Sequence, residues 1–184
     1  MPLTRTDSYL KDSLDVFRYY KTLAERAMAQ CNETQLFESI DLEANSIAII
    51  VKHMTGNMHS RWRDFLTTDG EKPDRNRDTE FEDAPKTRAE LMGLWERGWK
   101  ILFGALEPLT DADLGRTVTI RTEPHSVTQA INRQIAHYSY HIGQIVFLAR
   151  HFAAQSGEWK SLTIPRKKSA EFNAKVAAGE ASQR

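Results

Sequence analysis

Apolar residues recur at spacings of three and four along four long segments of this chain. That is the α-helical period, and it leaves little room for any other architecture. In residues 7–31 the stripe includes Leu10, Leu14, Phe17, Leu23 and Met28. In residues 43–66 it is clearest, with Ile47, Ile50, Met54, Met58, Trp62 and Phe65. A third stripe in residues 87–106 contains Leu91, Trp95, Leu102 and Leu106, and a fourth in residues 126–151 contains Ile131, Ile135, Tyr138, Ile142 and Ile145. Ser126 opens the fourth segment with Gln129 three residues on, the pattern of a capping box.

What lies between the segments is mostly polar. Residues 67–85 read TTDGEKPDRNRDTEFEDAP, punctuated by Asp-Gly and Lys-Pro-Asp. A connection this long inside a compact domain is either functional or a solvated crossover. Residues 116–122, RTVTIRT, are β-branched and alternating, which predicts a short strand or hairpin. The expected fold is therefore all-α. It is a four-helix bundle with a long crossover loop between the second and third helices, one domain over residues 1–184 with a disordered tail from about 174 to 184.

Composition narrows the function classes. Hydrophobic residues make up 40% and charged residues 27%, as in an ordinary soluble domain. Lys plus Arg and Asp plus Glu are both 25, so a nucleic-acid partner is not expected. No apolar run reaches the length of a membrane span, and the N-terminus lacks the apolar core of a signal peptide. Cys31 is the only cysteine, which rules out an intramolecular disulfide and fits a cytoplasmic setting. It reads as a small buried residue rather than a nucleophile, since nothing adjacent would activate it.

The histidines carry the chemistry. His137 and His141, in HYSYH, lie one turn apart on one face of the fourth helix, a spacing that lets two imidazoles converge on one ion. At ~100° per residue they sit about 110° and about 70° from the centre of the apolar stripe. On the second helix His53 lies about 130° from its apolar centre, on the side of Ser46, Asn57, Ser60 and Asp64. The two polar shoulders are expected to face each other across a hydrated cleft, with Asn57, Gln134 and Gln144 as pocket candidates. His59 lies on the opposite side of its helix. His125 falls in a loop, and His151 is about 21 Å along the helix from His137.

With IVKHMTGNMHSRWRDFL, the loop TTDGEKPDRNRDTEFE and HYSYHIGQI on the page, the chain resembles the DinB-like, YfiT-like superfamily, in an uncharacterised bacterial branch, over residues 9–173. The resemblance implies a four-helix bundle with a three-histidine metal site. Carried over by position, the ligands are His53, His137 and His141. Related branches include transferases that use bacillithiol, mycothiol or glutathione, and proteins described as metal-dependent hydrolases.

Three neutral imidazoles leave coordination positions open. Hydrolysis by an activated water usually needs a general base, and HYSYH offers Tyr138 and Tyr140 but no carboxylate; Asp64 is about three turns from His53. Thiol transfer asks less of the protein, because metal coordination itself deprotonates a thiol. The expectation is a divalent-metal protein, with Zn or Ni as the ion, acting as a metal-dependent thiol S-transferase. The alternatives are a metal-dependent hydrolase and a non-catalytic structural or sensor protein. A small thiol and an electrophile are the expected partners, Arg75 or Arg77 would pair with ligand carboxylates, and a homodimer is the candidate assembly.

Overall fold

The computed structural model describes residues 5–155, 157 and 159–182. The protein is mostly helical, with six helices and one two-stranded sheet among the described residues. The first helix, α1 (Tyr9–Met28), starts where the Ser8 side chain accepts from the Lys11 N–H. A short helix absent from the sequence reading follows, α2 (Glu33–Phe37). Asn32 and Gln35 cap it reciprocally, and the element buries Leu36.

Ser46 caps α3 (Ile47–Trp62), and Thr87 with Glu90 forms the capping box of α4 (Arg88–Leu106). The stretch 116–122 contains one strand, β1 (Thr117–Ile120), and its antiparallel partner β2 (Glu123–Ser126) lies beyond that stretch, Ile120 opposite Glu123. The two-residue turn between them is Arg121-Thr122, both at positive φ (55° and 66°). Such turns usually carry Asn-Gly. Here the Asp69 carboxylate compensates by accepting from the Arg121 and Thr122 N–H groups at 2.8 and 2.7 Å.

Ser126 and Gln129 bond reciprocally at the start of α5 (Val127–Gln155). A last helix, α6 (Ser169–Ala177), runs into the stretch expected to be a disordered tail; residues 183 and 184 lie outside the described residues. No helix among the described residues is long and apolar enough to cross a membrane.

Helix α1 packs along α5 and α3 along α4, while α3–α5 and α1–α4 contacts close the arrangement around one core. Phe17, Trp99 and Tyr138 meet at its centre, with ring centroids 6.0 to 6.3 Å apart. On α4, Gly98 permits the close approach of α3: a Cβ there would lie 2.9 Å from the Met58 sulfur and 3.3 Å from Thr55 Cα.

Helix α3 departs most from expectation. Its polar side is expected to line a hydrated cleft, yet Ser46, His53, Asn57 and Ser60 are buried, and so is Arg61. The cause is coverage: α2, α4, α5 and a 3-10 turn at Asp78–Phe81 all pack on α3. Apart from Arg61 Nε, these polar side chains find specific bonds, as buried polar groups generally do. Ser60 Oγ donates to the Gly70 carbonyl at 2.8 Å and accepts from the Lys72 N–H at 3.1 Å, and the Arg61 guanidinium also donates to the Gly70 carbonyl. These bonds fasten the long connection onto the helix.

Candidate metal centre and its cavity

His137 and His141 stand one turn apart on α5, and His53 reaches toward them from α3. The structure brings the three together: one ring nitrogen from each lies within 4.8 Å of the others. His53 Nε2 is 3.4 Å from His137 Nε2, and His141 Nε2 is 3.1 Å from the same atom. Two nitrogens bound tetrahedrally to one ion at ~2.1 Å are about 3.4 Å apart. Two of the three pairs thus sit near the spacing of ligands on one ion, and imidazole is a donor that divalent cations such as Zn accept.

The opposite ring nitrogens show how two of the imidazoles are aimed. His53 Nδ1 lies 2.8 Å from Glu80 Oε2, and His141 Nδ1 lies 2.8 Å from Gln144 Oε1. A carboxylate or amide oxygen there selects the tautomer with hydrogen on Nδ1 and leaves the Nε2 lone pair free. His137 Nδ1 is buried with no partner among the described residues. Burial pushes the His137 imidazolium down to about 3, helped by the charges of His141, His53, Arg61 and Arg75. Burial also lowers His141, against the hydrogen bond it donates to Gln144. Both are neutral at pH 7, the form that ligates metals.

Glu80 is the residue that the sequence reading missed. It lies in the 3-10 turn, in the long connection, and is buried on α3. Burial alone would raise its carboxyl, but hydrogen bonds from His53 and Arg75 and the Arg75 charge outweigh that and leave it below the usual carboxylate range. Arg75 holds it with two bonds, Nε to Oε1 at 2.8 Å and Nη2 to Oε2 at 2.9 Å. Arg75 also reaches Glu71 at 3.3 Å, so it is committed within the protein rather than left to pair with ligand carboxylates as expected. Gly56 makes the seat for Glu80, since a Cβ there would approach its Cδ to 2.7 Å. Phe81, next in the turn, stacks on His53 with centroids 4.7 Å apart, and the Arg77 guanidinium lies 5.0 Å from the centroid of the Phe81 ring. A loop has no periodicity, so no spacing in DTEFE could have singled out one of its carboxylates.

Of the pocket candidates, Asn57 and Gln134 line a cavity of about 220 Å³ beside His53 and His137. Asn57 Oδ1 accepts from the Tyr138 hydroxyl at 3.0 Å, which accepts in turn from Trp62 Nε1 at 3.1 Å. This buried chain ties the core to the cavity wall. Gln144 sits elsewhere: it braces His141 and donates to the Tyr140 hydroxyl at 3.2 Å. Five arginines, Arg61, Arg75, Arg77, Arg121 and Arg133, complete the cavity lining.

The other histidines stay apart from the cluster. His59 is exposed beside Arg63, His151 is exposed beside Gln155, and half-buried His125 lies on β2 rather than in a loop, its Nδ1 2.9 Å from the Glu123 carbonyl. Cys31 is buried, and burial pushes its thiol up to about 11 against the pull of Arg88, which makes it a poor nucleophile.

Fold and site together define a mostly helical protein with a three-histidine cluster beside an arginine-lined cavity. The chain belongs to the family described as "Protein of unknown function (DUF1572)", whose family model matches residues 4–168. No curated protein and no solved structure matches the chain.

Proposed function

We propose that this protein is a metal-dependent enzyme built on a DinB-like four-helix bundle, holding one divalent ion through His53, His137 and His141. The observation that carries the reading is the convergence of the three imidazoles, with His53 Nε2 and His141 Nε2 at 3.4 and 3.1 Å from His137 Nε2 and the first two rings oriented from behind by Glu80 and Gln144. Zn or Ni suits an all-imidazole set. Such an ion, when bound, supplies Lewis acidity that lowers the pKa of a thiol or a water on its open side.

The chemistry best supported is transfer of a small thiol to an electrophile. The sulfur loses its proton and bonds to the electrophilic carbon, and the leaving group departs with its electron pair. The two carboxylates that pair with the cavity arginines are already occupied: Glu80 by Arg75 and His53, and Glu71 by Arg61, Arg75 and Arg121. Neither is free to serve as base for an attacking water, whereas thiol transfer does without one. A cytoplasmic setting, expected from the single cysteine, suits a thiol co-substrate.

Elemental analysis of the purified protein, followed by electrophile consumption with and without bacillithiol, mycothiol and glutathione, tests the reading. Stoichiometric divalent metal and turnover that needs both metal and thiol are expected. Metal-dependent ester or amide hydrolysis without thiol would replace it with the hydrolase. Absence of bound metal under loading conditions would overturn it altogether.

A further inference from the structure

The chain carries equal numbers of basic and acidic residues, yet five guanidinium groups line one cavity of about 220 Å³. The excess comes from arrangement, not composition. The five come from separate places: Arg61 from α3, Arg75 and Arg77 from the long connection, Arg121 from the hairpin turn and Arg133 from α5. Only two carboxylates answer them. Glu71 pairs with Arg61, Arg75 and Arg121, and Glu80 pairs with Arg75. Arg77 and Arg133 form no ion pair among the described residues. Gathering like charges around one pocket costs stability, and such an excess is a focusing field for an anion.

We propose that this cavity binds a small anionic molecule through a carboxylate or phosphate group, anchored by Arg77 and Arg133 and supported by the paired arginines behind them. Guanidinium groups match both oxyanions by two-pronged hydrogen bonds. Arg77 is held in place for this role, because its guanidinium rests on Phe81 and Phe81 rests on His53. Arg133 lies one turn before His137 on α5. Gln134, itself buried, forms part of the cavity wall. The volume is below the usual range for drug-sized ligands, which points to a metabolite rather than a polymer. The inference deepens the proposed function, and rests on it only for where the reacting atom lies: the anion end seats among the arginines and the reactive end turns toward His53 and His137.

Calorimetric titration of the metal-free full chain at low ionic strength tests this, with inorganic phosphate and succinate as probes. Saturable binding of at least one anion is expected, weakened about tenfold in each of Arg77→Gln and Arg133→Gln, as the loss of a charge-assisted bond implies. Both side chains are exposed, so the variants should fold. Arg150→Gln, on the exposed surface away from the cavity, should bind as the parent does. Tighter binding of phosphate assigns a phosphate group to the ligand, and tighter binding of succinate a carboxylate. His141→Ala, outside the cavity lining, should lose metal and keep the anion, which separates failure of this inference from failure of the metal centre. No saturable binding of either probe, or binding unchanged in both arginine variants, overturns the proposal.

Discussion

Glu80 Oε2 lies 2.8 Å from His53 Nδ1, and Arg75 clamps the same carboxylate from the other side. The pair joins the 3-10 turn of the long connection to helix α3, and so makes that connection part of the candidate site. A carboxylate behind a ligating imidazole raises its basicity and fixes its ring. Replacing Glu80 with Gln is expected to weaken metal binding by roughly 10–100-fold. Competition titration against a chromophoric chelator measures it. Glu80→Ala should in addition destabilise the fold by about 3–5 kcal/mol, because buried Arg75 loses its main counter-charge. Gly56→Ala should act in the same direction as Glu80→Gln by pushing the carboxylate off its seat.

The three ligands should behave alike. His53→Ala, His137→Ala and His141→Ala are each expected to remove most of the bound metal, while His59→Ala and His151→Ala retain it. Elemental analysis after dialysis decides the matter, and full occupancy in the His53→Ala protein would contradict a three-histidine centre.

The hairpin turn stores strain that Asp69 offsets. Thr122 is β-branched and sits at φ 66°, where glycine is more comfortable. Thr122→Gly is expected to raise stability by up to ~1 kcal/mol, whereas Asp69→Ala should lower it by about 1–2 kcal/mol through loss of the bonds to the turn amides. Denaturant unfolding monitored by circular dichroism gives both signs. If Asp69→Ala proves neutral, the turn is held by the strands alone.

Cys31 offers a pH-dependent check that does not involve the metal. Its thiol is raised from 9.0 to about 11 by burial. A raised thiol pKa means the fold keeps a proton that the unfolded chain has lost, so the associated stability is complete below pH 9 and falls as pH rises toward 11. The slope in that window is about 1.4 kcal/mol per pH unit. Unfolding midpoints compared between pH 8 and pH 10.5, in the parent and in Cys31→Ala, isolate the contribution. A thiol-specific disulfide reagent should label the folded protein at pH 8 far more slowly than the denatured one.

Local chemistry was legible wherever it depended on neighbours in the chain. Ser126 and Gln129 form the capping box their spacing implies, and RTVTIRT contains the first strand of a hairpin. His137 and His141 share a face because four residues make just over one turn. The boundaries shifted where a cap overrode the apolar pattern, as at Ser46, which starts α3 three residues after the expected onset at 43.

The amino-acid sequence by itself determined the four long helices, the Ser126–Gln129 cap and the histidine pair on α5, since each follows from a period or a contact within a few residues. The tertiary structure alone decided that His53 is buried, because a helical wheel places a side chain on a face but does not say what covers that face. It also decided that Glu80, 27 residues from His53, orients its imidazole, and that five arginines from four separate parts of the chain meet in one cavity. Those relationships join residues 10 to 84 positions apart, and only the packing of the connection and the hairpin onto α3 and α5 brings them within hydrogen-bond reach.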